Sequence, residues 1–144
     1  MANTSLSGLV SAVTASATDT FYSVQTPGTG GVKMTAAQLA TYVGGKGADI
    51  TSAGAITIGV GGYFHVTGTV TITDIDFATT APCAAILIFD GILTLTHHAT
   101  TMILPTGANI VTAAGDACVV VSEGGDNVRV VGYFRANPTQ VISS

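Results

Sequence analysis

The chain has 144 residues, 47% of them hydrophobic and only 8% charged, with a net charge of −4. That length suits one domain, or one domain with a small appendage. Its four basic residues, Lys33, Lys46, Arg129 and Arg135, are too few and too scattered to neutralise a phosphate backbone, so nucleic acid is not an expected partner.

A soluble domain carries about 25% charged residues, so Thr, Ser, Ala and Gly must cover this surface. A monomer so covered is poorly protected from association. The simplest resolution is burial against copies of the same chain or against a lattice. Two windows free of Asp, Glu, Lys and Arg, Ile50–Thr73 and Gly91–Gly115, are long enough to span a membrane. Both are broken by Gly, Thr and His, the second also by Pro, and read as strands and turns, so no membrane is expected. The first 32 residues hold no positive charge and no apolar core of a leader, so no signal peptide is expected.

In chain order, Met1–Thr18 is rich in Ser, Thr and Ala, with isolated apolar residues at Leu6, Leu9, Val10 and Val13. It reads as an extended arm ordered by contact with a neighbour. Thr20–Gln25 reads as a strand, Pro27–Gly31 as a turn and Val32–Met34 as a returning strand. Thr35-Ala-Ala-Gln38 has the spacing of a capping box. Leu39, Tyr42 and Val43 then supply a helical stripe that Gly44-Gly45 ends. Gly44–Gly47 reads as a linker, since no strand–loop–helix order or GK[ST] accompanies it. Residues 1–47 are therefore expected to form an arm and attachment module, and 48–144 a β-rich domain.

Within that domain the expected strands are Ala55–Ile58, Tyr63–Val66, Val70–Ile75, Ala84–Phe89, Ile92–Thr96, Met102–Leu104, Ala117–Ser122 and Asn127–Tyr133. Asp90-Gly91 has the composition of a hairpin turn, and Glu123–Asp126 that of a hairpin tip. Phrases such as Gly-Ala-Ile-Thr-Ile, Gly-Thr-Val-Thr-Ile and Gly-Ile-Leu-Thr-Leu recur, but at irregular spacing, so no solenoid is predicted. The expected fold is mainly β: a small strand–turn–strand–helix unit, then an antiparallel β-sandwich or β-prism-like domain.

No residue set has the form of a catalytic centre. There is no GxSxG elbow, no HExxH and no Cys-centred motif, so no enzyme activity, cofactor or metal is expected. His97 and His98 are adjacent and on a strand would point to opposite faces, which prevents one chain from chelating with both. Copies of one His around a threefold axis are the remaining, weaker metal hypothesis. Asp74 and Asp76 share a strand face and read as a solvated edge that discourages strand pairing. Cys83 and Cys118 read as buried free thiols. Candidate intersubunit contacts are Leu6, Leu9, Val10, His97, His98, Arg129 and Arg135, the last two as ion-pair partners across strands or subunits. Neighbouring aromatic pairs, Tyr63-Phe64 and Tyr133-Phe134, leave glycan binding as a weaker alternative.

Two segments resemble modules of tailed-bacteriophage virion proteins. Asp19–Val43, DTFYSVQTPGTGGVKMTAAQLATYV, resembles the strand–turn–strand–helix unit near the start of phage appendage proteins. Ala48–Tyr133, with GGYFHVTGTVTITDI, FDGILTLTHHATTMILPTGANIVTAAGD and NVRVVGYFRA, is similar to a β-rich domain of phage fibre-like proteins. The resemblance implies a non-enzymatic virion structural protein, made in the host cytoplasm. It favours a homotrimeric capsid decoration, cement or head-spike protein whose partners are itself and the major capsid or other virion proteins. The alternative is a short tail or neck fibre that binds a host-surface glycan.

Overall fold

A computed structural model describes residues 18, 20–24, 31–78 and 83–137. The fold is mainly β, and the chain divides into two compact units, Met1–Leu39 and Ala40–Ser144. In the first, β1 (Thr20–Val24) and β2 (Gly31–Thr35) form an antiparallel pair. Helix α1 (Ala36–Gly44) starts where the capping box predicts. The Thr35 hydroxyl accepts the Gln38 N–H at 3.1 Å, and the Gln38 side-chain oxygen accepts the Thr35 N–H at 2.8 Å. Two otherwise orphaned donors are thereby satisfied reciprocally. The expected apolar stripe differs from a core-facing one: Leu39, Tyr42 and Val43 are all exposed.

The second unit is wound rather than folded back and forth. β3 (Ile50–Thr51), β5 (Tyr63–Thr67) and β7 (Ala84–Phe89) lie side by side and parallel. Between them, β4 (Ala55–Ile58) pairs in parallel with β6 (Asp74–Phe77), and Ile72 bridges in parallel to Leu95 of β8 (Thr94–Leu95). Successive passes of chain therefore stack on one another, each contributing inward residues. Phe64 sits beside Leu87, Val66 beside Phe89, and Ile56 beside Ile75, all buried. The antiparallel expectation fails here. Two of the recurring phrases, Gly68–Ile72 and Gly91–Leu95, are in fact stacked passes. Unequal turns between passes hide the repeat, because the core constrains which residues stack, not how many lie between them.

Asp90-Gly91 is likewise not a hairpin turn. β7 pairs with β5 and β11, never with β8, and neither residue has the positive φ that a two-residue hairpin needs. Gly91 is required for another reason: a Cβ there would lie 2.8 Å from the Gly68 carbonyl oxygen of the pass below. The predicted strand Val70–Ile75 is displaced, with β6 running Asp74–Phe77 after the corner at Ile72. β10 (Ile110–Val111), which pairs with β8, is unforeseen.

Antiparallel pairing joins β10 to β8 and then builds the end of the unit. β11 (Ala117–Gly124) adds to β7, and β12 (Asn127–Phe134) folds back on β11. Their tip has Gly124, Gly125 and Asp126 at positive φ, as the Glu123–Asp126 hairpin expectation requires. β9 (Met102–Ile103) closes the row, giving a six-stranded mixed sheet in the order β3-β5-β7-β11-β12-β9. One core of aliphatic and aromatic residues fills the space inside it, with Phe64, Phe89, Leu87, Met102 and Val120 among its largest members.

Candidate assembly surface

Strand alternation gives the six-stranded sheet a second apolar face. On β7, Ala85, Leu87 and Phe89 point into the core, so Ala84, Ile86 and Ile88 point out. On β11, Cys118 and Val120 are buried, leaving Ala117, Val119 and Val121 outward. The register aligns Tyr63, Ile86, Val119 and Gly132 in one row and His65, Ile88, Ala117 and Phe134 in the next. Ile86 is 43% exposed and Phe134 60%. Towards β5 the face deepens into a recess of about 400 Å³, lined by Val43, Tyr63, Ala84, Ile86, Ile88 and Val119 among others.

Charges stand at the margin of this face and are matched within the chain. His65 Nδ1 and an Asp90 carboxylate oxygen are 2.7 Å apart. Lys46 pairs with Asp49, which holds the ammonium above its ordinary range and the carboxyl below it. Arg129 donates from Nε to Glu123 at 2.6 Å. An apolar centre with a polar rim is the anatomy of a protein–protein contact.

Arg135, expected to form an ion pair across strands or subunits, pairs within the chain with Asp116. That carboxylate is 1% exposed. It accepts the Tyr133 hydroxyl at 2.6 Å, Arg135 Nη1 at 2.9 Å, and the N–H groups of Ala113 and Ala136, each at 2.9 Å. Burial by itself would raise the Asp116 carboxyl. The bonds from Tyr133, Ala136 and Ala113 and the Arg135 charge together outweigh it, and the carboxyl lies below its usual range. Tyr133 moves the other way: burial and the bond to Asp116 push its hydroxyl well up. Arg135 also lies over the Tyr133 ring, 5.1 Å from its centroid, and Phe89 stacks on that ring at 6.4 Å. The set is a staple that fixes the end of β12 to the turn before β11. Asp116 carried no sequence signal beyond the turn pair Gly115-Asp116.

His97 and His98 lie in the turn between β8 and β9. His97 Nδ1 accepts the Leu104 N–H at 3.2 Å, and His98 Nδ1 accepts the Thr101 N–H at 3.1 Å. Both histidines thus build the turn. Leu6, Leu9 and Val10 lie outside the described residues. Arg129 belongs to the rim of the apolar face and Arg135 to the staple. Among the described residues, His97, His98, Arg129 and Arg135 do not form one cluster.

Of the two thiols, Cys118 is buried and Cys83 exposed, so the expectation of two buried cysteines holds for one. Burial pushes the Cys118 thiol up to about 12, which leaves it unreactive. Among the described residues no group of three His, Cys, Asp or Glu could hold a metal ion, and no helix is long and apolar enough to cross a membrane. Asp74 and Asp76 lie on β6, which pairs only with β4. Asp76 has a buried Oδ1 with no hydrogen-bond partner, and desolvation with the nearby Asp74 and Asp126 charges raises its carboxyl.

Comparison with protein-family models, with curated proteins and with solved structures finds no match for this chain.

Proposed function

We propose that the protein is a non-enzymatic structural component that works by assembling with copies of itself, as a homotrimeric decoration or cement protein on a bacteriophage particle. The observation that carries this reading is the outward apolar face of the six-stranded sheet, centred on Ile86, Ile88 and Val119. A chain with 8% charged residues and an open apolar sheet face gains stability and solubility by covering that face. In the decorating role, the trimer would seat where capsid subunits meet and add buried area that holds them together. The phage assignment itself rests on the sequence resemblance of Asp19–Val43 and Ala48–Tyr133.

Glycan binding by a short fibre draws on exposed aromatic residues. Here Tyr133 has its hydroxyl committed to Asp116 and its ring stacked by Phe89 and Arg135, which favours the assembly reading.

The test is the absolute mass in solution, by light scattering after size-exclusion chromatography, followed by copy counting on purified particles. A trimer present in hundreds of copies per particle is expected. A stable monomer, or a protein that binds host cells and is present in few copies, overturns the decorating role.

A further inference from the structure

We infer that the cleft beside Arg135 binds a small carboxylate with an apolar body. This inference stands apart from the assembly reading above and does not depend on it.

The cleft lies between the end of β12 and β10, with residues 105–109 contributing to its wall. It measures about 430 Å³, within the range of small-molecule sites. Pro105, Ile110 and Tyr133 give it apolar surface, and Thr106, Asn109 and Arg135 supply its polar side chains. None of the described residues that line it is acidic.

Arg135 is already fixed in place. Its Nη1 donates to the Val111 carbonyl and to Asp116, each at 2.9 Å, and its guanidinium lies over the Tyr133 ring. Its Nε and Nη2 make no hydrogen bond among the described residues. Those two N–H groups form the parallel fork that matches the two oxygens of a carboxylate. The chain shows the same pairing at Arg129, whose Nε donates to one Glu123 oxygen at 2.6 Å while Nη2 faces the other at 3.5 Å. At Arg135 the fork has no such acid. A ligand carboxylate supplies it.

Asp116 does not take that place. Its side chain is 1% exposed and that of Arg135 52%, so the cation is the partner that faces outward. The Asp116 charge is shared among four donors, which leaves the guanidinium only partly neutralised. Asn109 adds a second donor: its Oδ1 accepts the His97 N–H at 2.8 Å, and its NH2 has no partner among the described residues. A donor-rich set without an acid selects an acceptor-rich ligand, and the apolar walls select a hydrocarbon body. Three contacts already order the arginine, so binding forfeits little side-chain freedom. In this it differs from an ordinary surface arginine.

Nuclear magnetic resonance of the isotope-labelled full chain tests the site, with benzoate as the probe and benzamide as its neutral counterpart of the same shape. Benzoate should shift the Asn109 side-chain NH2 and the Arg135 Nε–H signals and saturate them, with benzamide binding about tenfold or more weakly. Arg135→Lys keeps a counter-charge for Asp116 but has no fork, and should weaken benzoate about tenfold. If benzamide binds as tightly as benzoate, carboxylate recognition is overturned. If no signal of the cleft saturates, or chloride at the same ionic strength reproduces the shifts, the site itself is overturned. Unchanged benzoate affinity in a folded Arg135→Lys chain would overturn it as well. The comparison of benzoate with benzamide uses the unmodified chain and decides the matter even where Arg135→Lys fails to fold.

Discussion

The two faces of β7, at the middle of the six-stranded sheet, have nearly the same composition and opposite fates. Inward, β7 presents Ala85, Leu87 and Phe89, all buried; outward it presents Ala84, Ile86 and Ile88, which are open or half-open. Only the inner set is covered by the chain's own stacked passes. Equal hydrophobicity on two faces thus separates into a folding role and an association role, and the separation depends on what lies opposite. The polar groups divide in a parallel way. Asp116 is buried with four donors around it, whereas one oxygen of Asp76 is buried with none.

The inner face should be the more costly to damage. Phe89→Ala removes a ring packed in the core and against Tyr133, and chemical denaturation should show a loss of about 3–5 kcal/mol. A loss under about 1 kcal/mol would mean that the two faces do not differ as described.

Asp116→Asn comes next, at about 1–3 kcal/mol, because an amide NH2 at this buried site cannot accept from all four donors around it and leaves at least one of them unsatisfied. The same residue sets a pH response. Its carboxyl is lowered from a reference value of 3.8, so its stabilisation is fully present above that value and is lost as pH falls through the lower folded value. Acid titration of stability should show this loss in the unmodified protein. The Asn variant should show a shallower slope below about pH 4.

Ile86→Ser addresses the outer face. The dissociated chain should change stability by no more than about 1 kcal/mol, while light scattering should show the oligomer shifted towards smaller species. A large loss of stability in the dissociated chain would place Ile86 with the core and break the distinction between faces. The smallest effect is expected from Asp76→Asn. Removing a charge whose carboxyl is raised by desolvation and by Asp74 and Asp126 should leave denaturation at pH 7 unchanged or slightly stabilised. A clear destabilisation would reveal a favourable partner for that carboxylate.

Much of the local structure was legible. The capping box at Thr35 and Gln38, the runs Ala55–Ile58 and Ala84–Phe89, and the Glu123–Asp126 tip all follow from contacts between near neighbours. The assembly surface was harder to see. In Ala84–Phe89 both alternating sets are apolar, so no periodicity marks one face as exposed. The sequence also did not show the in-chain partners of the candidate contacts: Asp116 for Arg135, and backbone amides of their own turn for His97 and His98.

The sequence by itself determined a β-rich chain with one well-capped helix, a low-charge surface and no recognisable catalytic motif, because these follow from composition and short-range pattern. Tertiary structure alone decided that alternate strands, β3 with β5, β5 with β7 and β4 with β6, pair in parallel, that Asp90-Gly91 turns a corner instead of a hairpin, and that Asp116 gathers Tyr133 and Arg135. Each of those outcomes depends on residues far apart in the chain. Strand pairing is selected by which inward side chains fill the core together, and no local window carries that information.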